Sequence, residues 1–157
     1  MLMSAFKKAV IIFIAEGGYA GKSPFAPGTA GTVVGVLLYL LIRDLHPAAY
    51  LVICVFVTLL GTWAAGHAEE ILGKKDASPI VIDEIAGYLV SMFLVPQGWL
   101  FVIAGFFLFR LFDIIKPYPL MRIQDLHGGW GVMLDDIGAG IYSNIVLQAV
   151  IFAMRNI

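Results

Sequence analysis

The sequence is short of charge. Only 13% of its 157 residues are Asp, Glu, Lys or Arg, about half of the ~25% usual in soluble domains. With 61% hydrophobic residues and a mean hydropathy of +0.92, this describes a chain whose solvent is largely lipid. Net charge is nearly absent as well, at −1, which excludes a strongly basic nucleic-acid binder. Cysteine is almost missing. The one present, Cys54, has no internal partner for a disulfide and lies in an apolar run with nothing beside it to favour a thiolate. There is no internal repeat and no low-complexity tract. The length suits one domain, residues 1–157.

What the chain has in plenty is apolar runs. Ala48–Ala65 and Ile137–Met154 each meet the requirement of about 20 apolar residues for a helix that crosses the hydrocarbon. Thr32–Ile42 joins them once the small residues from Gly28 are included, and it stops at Arg43, Asp44 and His46. Ile85–Ile115 is too long for one span. Pro96-Gln97-Gly98 divides it at a turn signal into a short helical hairpin, Ile85–Val95 and Trp99–Phe112. Before these, Lys7 and Lys8 precede Ala9–Ala15 without a small-x-small cleavage site, which reads as a retained interfacial helix. The expected fold is all-α: an integral membrane helical bundle of about five membrane segments, two of them a short hairpin, after an N-terminal interfacial helix.

Five segments place the connections near residues 16–30, 67–84 and 113–136 on one face. The positive-inside rule makes that face cytoplasmic. Lys7, Lys8, Lys22, Lys74, Lys75, Arg110, Lys116 and Arg122 fall on or near it, against Arg43 and Arg155 opposite.

The same connections carry three acidic groups: Asp83-Glu84 in SPIVIDEIAG, Asp113 in FRLFDIIKP, and Asp135-Asp136 in GGWGVMLDDIGAG. Acids at a helix N-terminus complement the macrodipole, which accounts for one acid of each pair. It does not account for Asp113, near a C-terminus. Ionisable groups at membrane depth cost about 2.5–3.5 kcal/mol each on insertion scales, and gathered carboxylates repel one another. A hard divalent cation relieves both penalties, and magnesium combines carboxylates with water and substrate phosphate. Asp83, Glu84, Asp113, Asp135 and Asp136 are therefore candidate metal ligands and catalytic acids. Arg110, Asp113 and Lys116 share a helix face by spacing, as a charge-neutralising ladder or with Arg110 or Lys116 holding a phosphate. Gly21–Thr32 and Gly128–Gly140 are glycine-rich, suited to cradling phosphate through backbone N–H groups or to close helix packing. His67, Glu69, Glu70, Lys74, Lys75 and Asp76 read as a solvated helix end and loop. His127 stands nearer the acids, and His46 on the far face.

SPFAPGTAGT, IVIDEIAG, FRLFDIIKPYP and HGGWGVMLDDIGAG, in this order and spacing from about Gly18 to Gly140, resemble the phosphatidylglycerophosphatase A family. The resemblance implies a magnesium-dependent enzyme of the bacterial inner membrane. Its multi-pass fold would face the active site to the cytoplasm. There it would hydrolyse phosphatidylglycerol phosphate to phosphatidylglycerol and inorganic phosphate, in phospholipid biosynthesis. It carries over onto Asp83, Glu84, Arg110, Asp113, Lys116, Asp135 and Asp136, with Pro27, Gly28 and Thr29 as a phosphate-side loop. Lys22 does not carry over, and Thr32 stands where serine is frequent. The Cys-x₅-Arg loop of cysteine phosphatases is missing, as are the Pro-Ser-Gly-His signature of metal-free lipid phosphatases and the spaced aspartates of CDP-alcohol phosphotransferases. The partners expected are the lipid substrate and membrane lipids, not nucleic acid. Two other classes fit the composition: a small metal-coupled transporter, which needs charges near the midplane, and a non-catalytic membrane scaffold.

Overall fold

The structure, a computed structural model, describes residues 3–156. Among them every regular element is helical: α1 (Ala5–Ala15), a 3₁₀ turn (Ala20–Lys22), α2 (Pro27–Ile42), α3 (Pro47–Leu72), α4 (Ile82–Ser91), α5 (Trp99–Ile115), α6 (Leu120–Ile123) and α7 (Gly129–Arg155). Local chemistry sets several of these ends. Ser4 caps α1 by accepting the Lys7 N–H. Proline opens α2 and α3, where its missing donor costs nothing. Gly73, with φ +66°, closes α3 in the left-handed conformation.

Only α3 and α7, at 26 and 27 residues, are both long and apolar enough to cross a membrane by themselves, each about 40 Å by helical rise. Both run past the ends expected from hydropathy, and on the same side. α3 continues beyond Ala65 to Leu72, and α7 starts at Gly129 rather than Ile137. Hydropathy falls at these points, but His67–Glu70 and Gly129–Asp136 still place buried residues at helical spacing, among them Ala68, Met133 and Asp136.

The long apolar stretch divides as its proline and glycine suggest, though the helix stops sooner, at Ser91 rather than Val95. At ten residues α4 spans about 15 Å. It is the centre of the bundle, with Ile85, Ala86, Tyr88 and Leu89 at most 3% exposed, held between α2 and α7. Two glycines set how closely. A Cβ on Gly31 would lie 2.6 Å from the Val81 Cβ, and one on Gly140 would strike the Gly87 carbonyl. Small residues at such crossings replace the hydrophobic driving force that lipid does not supply. Gly140→Ala must therefore push the α4 and α7 backbones away from each other. We expect a loss of about 1–3 kcal/mol, seen as a lower unfolding midpoint in detergent.

Beyond α4 the backbone is irregular, which at membrane depth requires protein partners. They are present. The Tyr50 hydroxyl donates to Leu89 O at 2.8 Å. Asn144 Nδ2 donates to Ser91 O at 3.0 Å and Phe93 O at 2.7 Å, and Gln148 Nε2 to Leu94 O at 3.1 Å. Gln97 Nε2 donates to Asp44 Oδ1 at 2.7 Å, so the α2–α3 and α4–α5 turns meet at one end of the bundle. The acidic motifs gather at the other.

Candidate active site

Four helix ends build one cavity of about 310 Å³. α2 contributes Pro27 and Gly28 in its first turn. α4 contributes Asp83 and Glu84, its second and third residues. The last two turns of α5 contribute Arg110 and Asp113, and Lys116 follows. α7 contributes Asp135 and Asp136. The two acids of α7 lie nearly two turns inside the helix, not at its start as hydropathy suggests. The macrodipole argument thus does not reach them, because the effect fades within the first turn.

The five acids divide into two kinds. Asp83, Glu84 and Asp136 each offer a carboxylate oxygen within 4.8 Å of the others. Asp83 Oδ1, Glu84 Oε2 and Asp136 Oδ2 are buried and have no hydrogen-bond partner among the described residues. Charged carboxylate oxygens buried without a partner cost several kcal/mol, so three such oxygens around one space call for a cation. Hard oxygen donors suit magnesium or calcium better than softer metals. The residues present fit a divalent ion on that ground.

Asp113 and Asp135 instead hold the bases. Asp113 Oδ2 accepts from Arg110 Nη1 at 2.6 Å, and the same nitrogen stands 3.7 Å from Glu84 Oε1. Lys116 Nζ bonds Asp135 Oδ2 and lies 4.0 Å from Asp113 Oδ1. Asp135 Oδ1 remains unpartnered and buried. Burial opposes the Lys116 ammonium, but the hydrogen bond to Asp135 and the fields of Asp135, Asp136 and Asp113 outweigh it, and its pKa lies above the usual lysine value. It is a cation at any physiological pH.

Two rim residues, Ala26 and Lys116, have φ +46°. Non-glycine residues pay about 1–3 kcal/mol for that region and keep it only where surroundings over-determine them. Ala26 turns the chain so that α2 begins at the cavity, and the first N–H groups of a helix have no intrahelical acceptor. Anions bind readily at such an end. Gly28 is where α2 comes nearest the charges: a Cβ there would collide with Glu84 Oε1 and sit 3.0 Å from Arg110 Nη1.

Thr29 is half-buried and does not line the cavity, and His127 is exposed away from it. Asp76, which by sequence belongs to a solvated loop, does line it, with Ser78. Glu69 Oε1 accepts the Asp76 N–H at 2.7 Å and so ties the loop to α3. No periodicity marks a loop residue, so nothing in the sequence signals its place.

A sequence profile of the phosphatidylglycerophosphatase A family matches residues 13–151. A Bacteroides thetaiotaomicron protein with the provisional name phosphatidylinositol-3-phosphatase is 38% identical over 144 residues, 87% of this chain and 90% of its own. The phosphatidylglycerophosphatase A of Haemophilus influenzae is 35% identical, covering 92% of this chain and 90% of its own. That of Escherichia coli is 32% identical over 85% and 79%. No solved structure matches. Every residue lining the cavity lies inside the matched stretch, and with that match and these relatives the chain belongs to the phosphatidylglycerophosphatase A family.

Proposed function

We propose that this protein hydrolyses the terminal phosphomonoester of phosphatidylglycerol phosphate, releasing phosphatidylglycerol and inorganic phosphate, at the cytoplasmic face of a bacterial inner membrane and in the service of phospholipid biosynthesis. The observation that carries this reading is the cavity's division of labour: three carboxylates, each with a buried oxygen that has no partner, converge beside two cations that other carboxylates hold in place. Asp83, Glu84 and Asp136 would hold a magnesium ion. When bound, the ion supplies Lewis-acid neutralisation of phosphoryl oxygens and a lowered pKa for water.

The chain's own residues do the rest. Arg110, Lys116 and the α2 N-terminus at Gly28 bind the phosphate from the rim. Asp113 and Asp135 orient the two basic side chains. Asp135 Oδ1, free while Oδ2 is tied to Lys116, takes a proton from the attacking water. Water adds to phosphorus, the P–O bond to the glycerol breaks, and the leaving oxygen takes up the proton that Asp135 received, which returns Asp135 to its carboxylate.

The fold supports a five-segment arrangement: α2, α3, α4 with the segment to Gly98, α5 and α7. Exposed Trp63 and Trp130 stand toward the acidic end and exposed Trp99 at the other. From the start of α3, Trp63 is about 24 Å along the axis, which suits anchors at two interfaces. The acids lie at one end rather than at the midplane, which favours hydrolysis over transport. Cysteines placed at positions 75 and 97 should react with impermeant reagents from opposite sides, position 75 from the cytoplasm.

The test is phosphate release by purified protein with and without magnesium. Phosphatidylglycerol phosphate should be turned over only with the metal, and faster than phosphatidylinositol 3-phosphate, the competitor suggested by the Bacteroides relative's name. No release under any divalent metal overturns the reading.

A further inference from the structure

The end of the bundle away from the carboxylates has a polar cavity of its own, about 80 Å³, between the last turn of α2, the first turn of α3 and the segment after α4. Tyr39 and Arg43 face it from α2, one turn apart and on one face. Tyr39 is 2% exposed, and its hydroxyl has no partner among the described residues. The Arg43 Nε is likewise buried and unpartnered.

The reason is visible in the hydrogen bonds nearby. The end of α4 and the irregular segment after it would be the natural source of acceptors, but several of their carbonyls are engaged elsewhere. Leu89 O is taken by Tyr50, Ser91 and Phe93 O by Asn144, and Leu94 O by Gln148. Val95 N takes Met92 O. Asp44 comes only to 4.0 Å of Arg43 Nε, is largely exposed, and accepts from Gln97. Two donors, one of them cationic, are left facing one space. A buried donor without an acceptor costs about 1–3 kcal/mol.

We propose that Tyr39 and Arg43 form an oxyanion site for the phosphodiester of a phospholipid head group, drawn from the leaflet opposite the active site. Arginine only donates and stays charged, so the complement is an anion. The cavity exceeds the share of two waters at about 30 Å³ each, leaving room for phosphate oxygens. The surroundings indicate that the anion arrives on a lipid. Leu41, Leu45, Leu94 and Trp99 are exposed around this end, an apolar collar suited to acyl chains. The site lies about 22 Å from Gly28 along α2, so it is separate from the catalytic cavity. Joining the α2–α3 turn to the segment after α4, it would clamp that end of the bundle.

The experiment is thermal unfolding of delipidated protein in detergent, titrated with phosphatidylglycerol, with diacylglycerol and with inorganic phosphate. Wild type, Tyr39→Phe and Arg43→Gln are compared. Phosphatidylglycerol should raise the wild-type midpoint in a concentration-dependent way and lose more than half of that shift in each variant. Diacylglycerol should do neither. Without lipid, Tyr39→Phe should be at least as stable as wild type, because it removes an unpaired hydroxyl; this keeps the test open even if Arg43→Gln does not fold. Equal phosphatidylglycerol shifts in wild type and both variants would overturn the site, since binding at the catalytic cavity survives both changes. A shift with inorganic phosphate that Arg43→Gln abolishes, without one from phosphatidylglycerol, would overturn the lipid as its source.

Discussion

Asp136→Asn should lower phosphate release by a factor of about 10³ or more, with the purified protein still folded. The substitution keeps shape and volume and removes one negative oxygen from the group formed with Asp83 and Glu84. Lewis-acid stabilisation is worth several kcal/mol, and each 1.36 kcal/mol is about tenfold in rate. The loss should come with a raised magnesium requirement. Asp113→Asn touches a different group, since Asp113 holds Arg110 at 2.6 Å. Its effect should appear mainly as a higher KM for the lipid, with the magnesium requirement little changed. Rates as a function of magnesium and of substrate concentration separate the two. Equal magnesium dependence in both variants would contradict the division of the acids drawn from the geometry.

Gly28→Ala should cost about 100-fold in turnover with only a small change in unfolding midpoint. The added methyl enters space now filled by Glu84 Oε1 and the Arg110 guanidinium, 3.0–3.1 Å from its nitrogens. These are side-chain ends, so the fold can accommodate the change by moving them. But they are groups of the proposed phosphate site, and a displacement of about 1 Å at a reacting centre can cost 10²-fold. Gly140→Ala makes the opposite comparison, because its obstacle is backbone and the cost falls on stability. A Gly28→Ala protein with wild-type kinetics would show that α2 does not need to approach this closely.

Much of this architecture can be read from the residues in order. The broken run at Pro96-Gln97-Gly98 and the parity of the connections put the three acidic motifs on one face, and four helix ends do meet there. The division of the acids is not legible. Asp135 and Asp136 are neighbours in sequence, and a helix turns them about 100° apart, but which one meets Lys116 depends on how α7 is rotated against α4. That rotation is set by glycine crossings. The start of α7 is hidden because Gly128–Gly131 looks like a loop by composition, whereas Gly129 packs against Thr62 and Gly66 of α3 and needs its small size as a helical residue. Asp76 is hidden because a loop's path depends on a tie to Glu69 that no periodicity announces. Tyr39 and Arg43 look ordinary for the opposite reason. What distinguishes them is that a buried hydroxyl and a buried Nε lack partners beside carbonyls that other side chains have taken.

The placement of α4 has a consequence for how the enzyme is made. Ten residues are too few to hold a transmembrane position alone, and the partners of α4 come from both sides of the chain. α2 precedes it, but Gly140, Asn144 and Gln148 belong to α7, which is made after it. Until then its terminal carbonyls have no side-chain amides to meet them, and Asp83 and Glu84 have no Asp136 beside them. The candidate site is thus completed only once α7 has been made, and a chain stalled before α7 would expose an unpaired polar segment for quality-control proteases to find.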